Sequence, residues 1–222
     1  MTDTPAPPPD PGKPKLVAAK EAWARAGRLL TGQTADPARD RLPPGQRLVT
    51  DWPVLDLGTQ PVIAADAFRL DIDGAVAHPL RLDWAGLTAL PATESVSDIH
   101  CVTQWSRYDN RWTGVAAATL IAAVAPKDEA AFVIFHAADG YTTNITRARF
   151  ERPDSLLAFR WNGAPIPPEH GGPARLVIPS LYFWKSAKWV RRIEFAPTDR
   201  PGFWERRGYH NQGDPWAEER YS

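Results

Sequence analysis

One cysteine, Cys101, is all that the 222 residues contain. No disulfide can close within the chain, so the place of that thiol has to be explained by packing or by chemistry. A lone cysteine agrees with a reducing compartment without requiring one. Net charge is absent too: 26 basic residues meet 26 acidic ones, without the basic excess on which binding to nucleic acid or an anionic membrane surface depends. No run of about 18 apolar residues occurs, so no segment reads as a membrane span. Residues 1–10 carry no basic stretch, apolar core or twin arginine. No secretory signal is read there, and a cytoplasmic location is expected. Also missing are a Gly-x-Ser-x-Gly elbow, a Walker loop and a Gly-x-Gly-x-x-Gly fingerprint. One cysteine and five scattered histidines give no familiar zinc spacing.

Proline and tryptophan are abundant instead, at 23 and ten residues. Proline at that density favours short extended or turning segments over long helices. The length suits one core with tails. Residues 1–44 read as a proline-rich tail followed by a helical arm over residues 16–30, and residues 45–222 as the domain. Phe68, Leu70 and Ile72 alternate with polar residues up to an Asp73-Gly74 turn, which predicts a strand. Asp83 is placed to cap a short helix ending before Pro91. Residues 94–102 predict a strand that delivers Cys101 near its end. Residues 115–124 are alanine-rich, helical in propensity and closed by Pro126. Strands are expected over 131–136, 141–145, 156–161, 164–166, 176–178 and 190–195, with Asn162-Gly163 as a hairpin turn. The sum is an α+β fold dominated by mixed or antiparallel sheet, with an irregular aromatic stretch over 201–222.

Cys101 stands in His100-Cys101-Val102-Thr103-Gln104-Trp105-Ser106. By itself a free cysteine is most simply a small buried hydrophobe. Two later blocks change its setting: His170-Gly171-Gly172-Pro173-Ala174-Arg175 and Trp184-Lys185-Ser186-Ala187-Lys188-Trp189. Residues 147–192 hold nine basic residues against three acidic ones. Such a band is ordinarily a solvated face. Lys185 and Lys188, however, lie in an aromatic stretch where unpaired burial would be costly, so a bound anion explains them better. Arginine suits phosphate because its planar fork donates two parallel hydrogen bonds. The glycine pair is either a plain turn or a place where backbone approaches a ligand closely. A cysteine–histidine hydrolase, with His136 or His170 as base, stays open on these residues alone.

In this order, the Cys101 block, the His-Gly-Gly-Pro-x-Arg block and the Lys-Ser-x-Lys-Trp block resemble the sulfite oxidase family of molybdopterin enzymes. The likeness runs from about Pro43 onward. It implies a mononuclear molybdenum held by one pterin, with Cys101 as the protein's thiolate ligand, and a soft metal suits sulfur. It further implies that His170 hydrogen-bonds the pterin, that Arg175 and Lys188 hold its phosphate, and that Ser186 and Ala187 offer backbone contacts. Thr50, Asp51 and Trp52 fall where the family's N-terminal cofactor segment lies. The run Gly202-Phe203-Trp204-Glu205-Arg206-Arg207-Gly208-Tyr209 is similar to the segment that brings a tyrosine back to the metal.

Sulfite-oxidising members of the family place a substrate-binding arginine in the N-terminal segment, where this chain reads Leu48-Val49-Thr50-Asp51-Trp52 with Arg47 nearby. The resemblance therefore implies oxygen-atom transfer to or from a small substrate, sulfite-like or an S- or N-oxide, with neither direction chosen. No haem, flavin or iron–sulfur motif is present, so a separate electron partner is expected, and the chain is expected to be a monomer. The rival readings are a non-catalytic cofactor-binding or interaction module of the same fold, and a metal-free thiol enzyme.

Overall fold

The computed structural model describes residues 41–58 and 60–222. The tail and helix expected before residue 41 lie outside them. Strand β1 (Arg47–Leu48) is followed by β2 (Arg69–Gly74) and β3 (Leu80–Asp83). Helix α1 (Trp84–Ala89) leads into β4 (Ala92–His100) and β5 (Trp105–Ala116), then α2 (Ala117–Val124). Strands β6 (Phe132–Ala137) and β7 (Thr142–Thr146), helix α3 (Arg147–Phe150), β8 (Leu156–Trp161), β9 (Ala164–Pro165), β10 (Arg175–Val177) and β11 (Val190–Ala196) complete the order.

Two mixed sheets result. One runs β1-β5-β8-β10, with β4 on β5 and β9 on β8; the other runs β3-β2-β11-β6-β7. Each contains one parallel pair, β1 with β5 and β2 with β11, and is otherwise antiparallel. The main core gathers Leu70, Ile72, Val133, Phe135, Ile193 and Phe195 from the five-stranded sheet with Val115, Leu157 and Leu176 from the other. Leu156, Ala158 and Val177, one residue out of phase on β8 and β10, point the other way. They join Ile99, Cys101, Trp105, Trp112, Tyr182 and Trp184 in a second apolar cluster. The period of two thus gives the six-stranded sheet two buried faces.

The alternating Phe68, Leu70 and Ile72 are all buried, as β2 requires. The Asp83 carboxylate accepts from Gly86 N at 2.7 Å, capping α1. Asn162 and Gly163 take positive φ between β8 and β9, the geometry of a two-residue hairpin turn. Residues 115 and 116, read as helical, instead end β5. That strand, twelve residues long, has no counterpart in the sequence reading. Its interior Asp109, Asn110 and Gly114 hide the alternation.

Residues 201–222 hold only a 3-10 turn, Glu205–Arg207, and one bridge, Tyr209 to Tyr221. They are fastened by a buried ion pair. Lys185 Nζ lies 2.6 Å from Glu205 Oε1, with neither side chain exposed beyond 1%. The same ammonium donates to Asn144 O and Asn211 O, both at 2.8 Å. The same carboxylate oxygen accepts from Thr143 Oγ1 and Trp184 Nε1. Lys185 is therefore spent inside the fold, which corrects its reading as an anion ligand: the cation is buried because it is paired. Removing one partner strands the other, and such losses cost about 3–5 kcal/mol. Glu205→Leu is expected to lower unfolding free energy by about that amount in urea titration, whereas a change below ~1 kcal/mol would show that the pair does not fasten the segment.

Candidate active site

Cys101 occupies the tight turn between β4 and β5. Its N–H donates to Trp105 O at 2.8 Å and its carbonyl accepts from Gln104 N at 3.0 Å. Gln104 adopts φ 71° to close that turn, a conformation uncommon outside glycine. Two outside contacts hold it: Gln46 Nε2 donates to Cys101 O at 2.9 Å, and Arg47 N to Gln104 O at 2.9 Å. The thiol thus stands at the end of the hairpin, 3.2 Å from Thr103 Oγ1. Burial pushes its pKa up. His100, one residue earlier on the strand, faces elsewhere, with Nδ1 at 2.9 Å from Ser106 Oγ.

The thiol opens on a cavity of about 360 Å³. Of the residues singled out from the sequence, Trp52, Cys101, His170, Arg175, Ser186, Ala187, Lys188 and Tyr209 all line it. Thr50 and Asp51 are exposed and do not; Thr50 O accepts from Arg107 Nε at 3.2 Å. Arg47 is an exposed residue of β1. His136 is engaged by Glu194 on the five-stranded sheet at 2.9 Å and takes no part in the cavity.

The His170 end is built on the two glycines. Gly171 has φ 102°, and a Cβ there would come within 2.8 Å of Lys188 Cβ. A Cβ on Gly172 would collide with Ile166 O. Only glycine lets these strands of chain close so tightly. His170 stacks on Trp52 at 3.8 Å between ring centroids, 7° from parallel. Burial first, and then the Arg175 and Lys188 charges, lower its pKa to about 4, so the ring is neutral at pH 7. Its Nδ1 is buried and has no hydrogen-bond partner among the described residues.

Arg175 is 1% exposed. Nε donates to Leu176 O at 3.2 Å, Nη1 to His170 O at 2.7 Å and Nη2 to Ser186 O at 2.8 Å. The guanidinium lies 4.1 Å from the Phe183 ring centroid and 5.4 Å from that of Trp52, within cation–π range. No carboxylate ion-pairs with it among the described residues, and burial alone lowers its pKa to about 9. Lys188 Nζ donates to Glu169 O at 2.7 Å. Burial, then Arg175, lower its pKa to about 8. Trp189 beside it holds φ 46°, a strained value for a bulky residue. The Arg175 charge thus opposes that of Lys188, with Asp56, Asp139 and Glu169 acting the other way; both cations line the same space, a condition an anion relieves.

Aromatic rings wall the thiol end. Tyr209 stacks on Trp204 at 4.9 Å and meets Trp184 edge-on at 5.0 Å, and Trp105 packs in the same cluster. Trp105, Trp184, Trp204, Thr103 and Tyr141 also line the cavity, and none of them is singled out as a site residue by the sequence. Thr103, Trp105, Trp184 and Trp204 stand inside the quoted blocks without a role assigned to them, and Tyr141 carries no signal beyond its predicted strand.

This donor set fits a metal-bearing pterin phosphate. Among the described residues, a buried guanidinium is ion-paired with no carboxylate and a neutral histidine has an unpartnered nitrogen, while a thiol supplies a soft donor. Comparison with known proteins agrees. The family described as oxidoreductase molybdopterin binding domain matches residues 57–204. The chain is 48% identical over 183 residues to the uncharacterized oxidoreductase YuiH of Bacillus subtilis (strain 168), covering 82% of this chain and 92% of that protein. It is 31% identical over 150 residues to the putative protein-methionine-sulfoxide reductase subunit YedZ1 of Azospira oryzae, with 67% and 56% covered. Among solved structures, the sulfane dehydrogenase SoxCD from Paracoccus pantotrophus matches with a TM-score of 0.58 and 25% identity over 63% of this chain and 40% of its own. The two-sheet fold, the cavity and these matches together place the chain in the oxidoreductase molybdopterin binding domain family, as a molybdopterin-dependent oxidoreductase of the sulfite oxidase type.

Proposed function

We propose that the chain catalyses oxygen-atom transfer with a small sulfur oxide as substrate, an S-oxide in preference to sulfite. The observation that carries this reading is the distribution of charge in the cavity. Its lysine and arginine side chains, Arg175 and Lys188, belong to the Gly171 end, while the thiol is walled by Trp105, Trp184, Trp204 and Tyr209. A dianion would enter there with no cation lining the wall, Arg220 standing behind the Cys101 turn, at the cost of desolvating its charge. A neutral S-oxide suits an aromatic wall. YedZ1, a relative named for protein methionine sulfoxide, points the same way.

Bound in the cavity, the molybdenum–pterin group supplies the two-electron oxygen exchange, and the protein supplies ligation, orientation and electrostatics. Cys101 would hold the metal as a thiolate; coordination keeps a thiol deprotonated despite its burial. His170 would offer the pterin a neutral hydrogen bond, with Trp52 stacked behind it. Arg175 has five N–H donors, of which three serve carbonyls, leaving two for a phosphate beside Lys188. Ser186 and Ala187 present backbone at the same end, with Thr50 and Asp51 outside the wall. Tyr209 would aim its hydroxyl at the substrate oxygen. YedZ1 is named as a subunit, which supports a separate one-electron partner for this chain. A cytoplasmic location and a monomeric state complete the reading. No helix among the described residues is long and apolar enough to cross a membrane.

Lys188→Ala removes one charge-assisted hydrogen bond to phosphate, worth about 1.5–3 kcal/mol, or a loss of roughly 10- to 150-fold in pterin affinity. Pterin released from protein made under limiting cofactor is expected to fall accordingly. Undiminished occupancy would put the phosphate elsewhere.

The substrate reading is tested on molybdenum-loaded protein with a reduced viologen dye as donor and an organic sulfoxide as acceptor, beside sulfite with ferricyanide. Sulfoxide reduction should dominate, and Tyr209→Phe should lower its kcat/KM by about 3- to 10-fold at normal metal content. Preference for sulfite would overturn the substrate, and unchanged Tyr209→Phe kinetics would return Tyr209 to a packing role.

A further inference from the structure

We propose that Arg220 is a positioning residue that ties the Cys101 turn to the Tyr209 segment and so fixes the geometry of both across the reacting space. The proposal rests on the roles given to Cys101 and Tyr209 above. Arg220 does not line the cavity; it acts through its neighbours. Its Nη1 donates to Val102 O at 2.9 Å, on the residue that follows Cys101. Its own carbonyl accepts from His210 N at 3.1 Å, on the residue that follows Tyr209. One residue thus holds the next link of chain beyond each of the two groups.

Three further contacts keep Arg220 in place. Nη2 donates to Pro44 O at 3.0 Å, in the segment that enters β1. The guanidinium lies 5.0 Å from the Tyr182 ring centroid. Glu218, at φ 52°, folds the chain so that Arg220 N donates to Glu218 O at 2.7 Å. The residues around it are bound to the Tyr209 segment as well. Tyr221 bridges Tyr209 through the backbone and meets its ring edge-on at 5.4 Å, and Ser222 N donates to Gly208 O at 3.1 Å. His210 Nδ1 lies 3.3 Å from Glu219 Oε2.

Arginine suits this task. Its planar fork reaches two carbonyls on separate segments at once, where a single ammonium has no fixed directions. The Pro44 segment already meets the Cys101 turn through Gln46, Arg47 and the β1–β5 pair, whereas the His210 segment belongs to neither sheet. β4 and β5 set the Cys101 turn, whereas the Tyr209 segment has no strand of its own beyond the Tyr221 bridge. Arg220 therefore links the thiol's turn directly to the phenol's segment, which Lys185 holds through Asn211 and Trp204 holds through Tyr209 N.

The test uses the full chain with Arg220→Gln and Arg220→Lys. In cofactor-free protein, amide exchange read by mass spectrometry should quicken about tenfold or more in peptides spanning 101–105 and 208–211 together in Arg220→Gln, with β6 and β11 unchanged. Exchange that stays unchanged in either peptide overturns the tie. In molybdenum-loaded protein, Arg220→Gln should keep its pterin, shift the paramagnetic resonance of the half-reduced metal and lower kcat about tenfold with KM within about twofold, with partial recovery in Arg220→Lys. Quicker exchange with an unmoved resonance and unmoved kcat also overturns the proposal, because it reduces Arg220 to a staple of the fold. Should Arg220→Gln fail to fold, Arg220→Lys carries both readouts alone, expected smaller in size and alike in sign. A wild type that takes up no molybdenum contradicts the assigned function, and the exchange comparison then decides the tie by itself.

Discussion

Arg175 is a whole positive charge sealed in the protein, surrounded by carbonyl oxygens and aromatic faces and, among the described residues, ion-paired with no carboxylate. A buried charge is tolerated only when its donors are satisfied and its field is answered. Three carbonyls meet the first need, and in doing so they bind His170, Leu176 and Ser186 to one point. The second need goes unmet within the described residues: burial lowers the pKa of Arg175, and the Arg175 charge adds to burial in lowering that of Lys188. The site is thus organised by a cation that the fold satisfies in geometry and leaves unsatisfied in charge. An anionic cofactor completes it.

The rest of the architecture delivers groups to that point. The six-stranded sheet buries both faces, one in the main core and one against the cavity. Its β4–β5 turn presents the thiol, and the Gly171 turn before β10 presents the histidine. The stretch beyond β11 has little regular structure, so it is held by specific polar contacts instead. Lys185 with Glu205 anchors its near part and Arg220 its far part. Where no ladder of backbone hydrogen bonds exists, single side chains carry the positioning, and each becomes correspondingly hard to replace.

Local signals are readable in the sequence. Phe68, Leu70 and Ile72 alternate because β2 pairs on both edges and packs on the core. Asp83 caps helix α1 through its own carboxylate. Asn162-Gly163 turns because few other pairs adopt two positive φ values cheaply. The motif order led to Cys101, His170, Arg175, Lys188 and Tyr209, and all five line one cavity. What failed was long-range. Strand β5 is held by partners on β1, β4 and β8, and its buried Asn110 is satisfied by Arg107, Ser97 and Trp161, none of which shows as periodicity. Lys185 and Lys188 look alike in sequence. Only the fold gives one of them Glu205 and leaves the other facing a cavity. Arg220, an unremarked arginine near the end of an irregular stretch, gains its place from a carbonyl 118 residues away.

The central claim is that this cavity holds a molybdenum–pterin group through the sulfur of Cys101. X-ray absorption at the molybdenum edge counts sulfur neighbours directly. Wild type and Cys101→Ser, produced with equal molybdenum supply and matched for pterin content, should differ by one sulfur ligand, the variant having the lower count. An identical sulfur shell in the two proteins would contradict the account, because Cys101 is the chain's only cysteine.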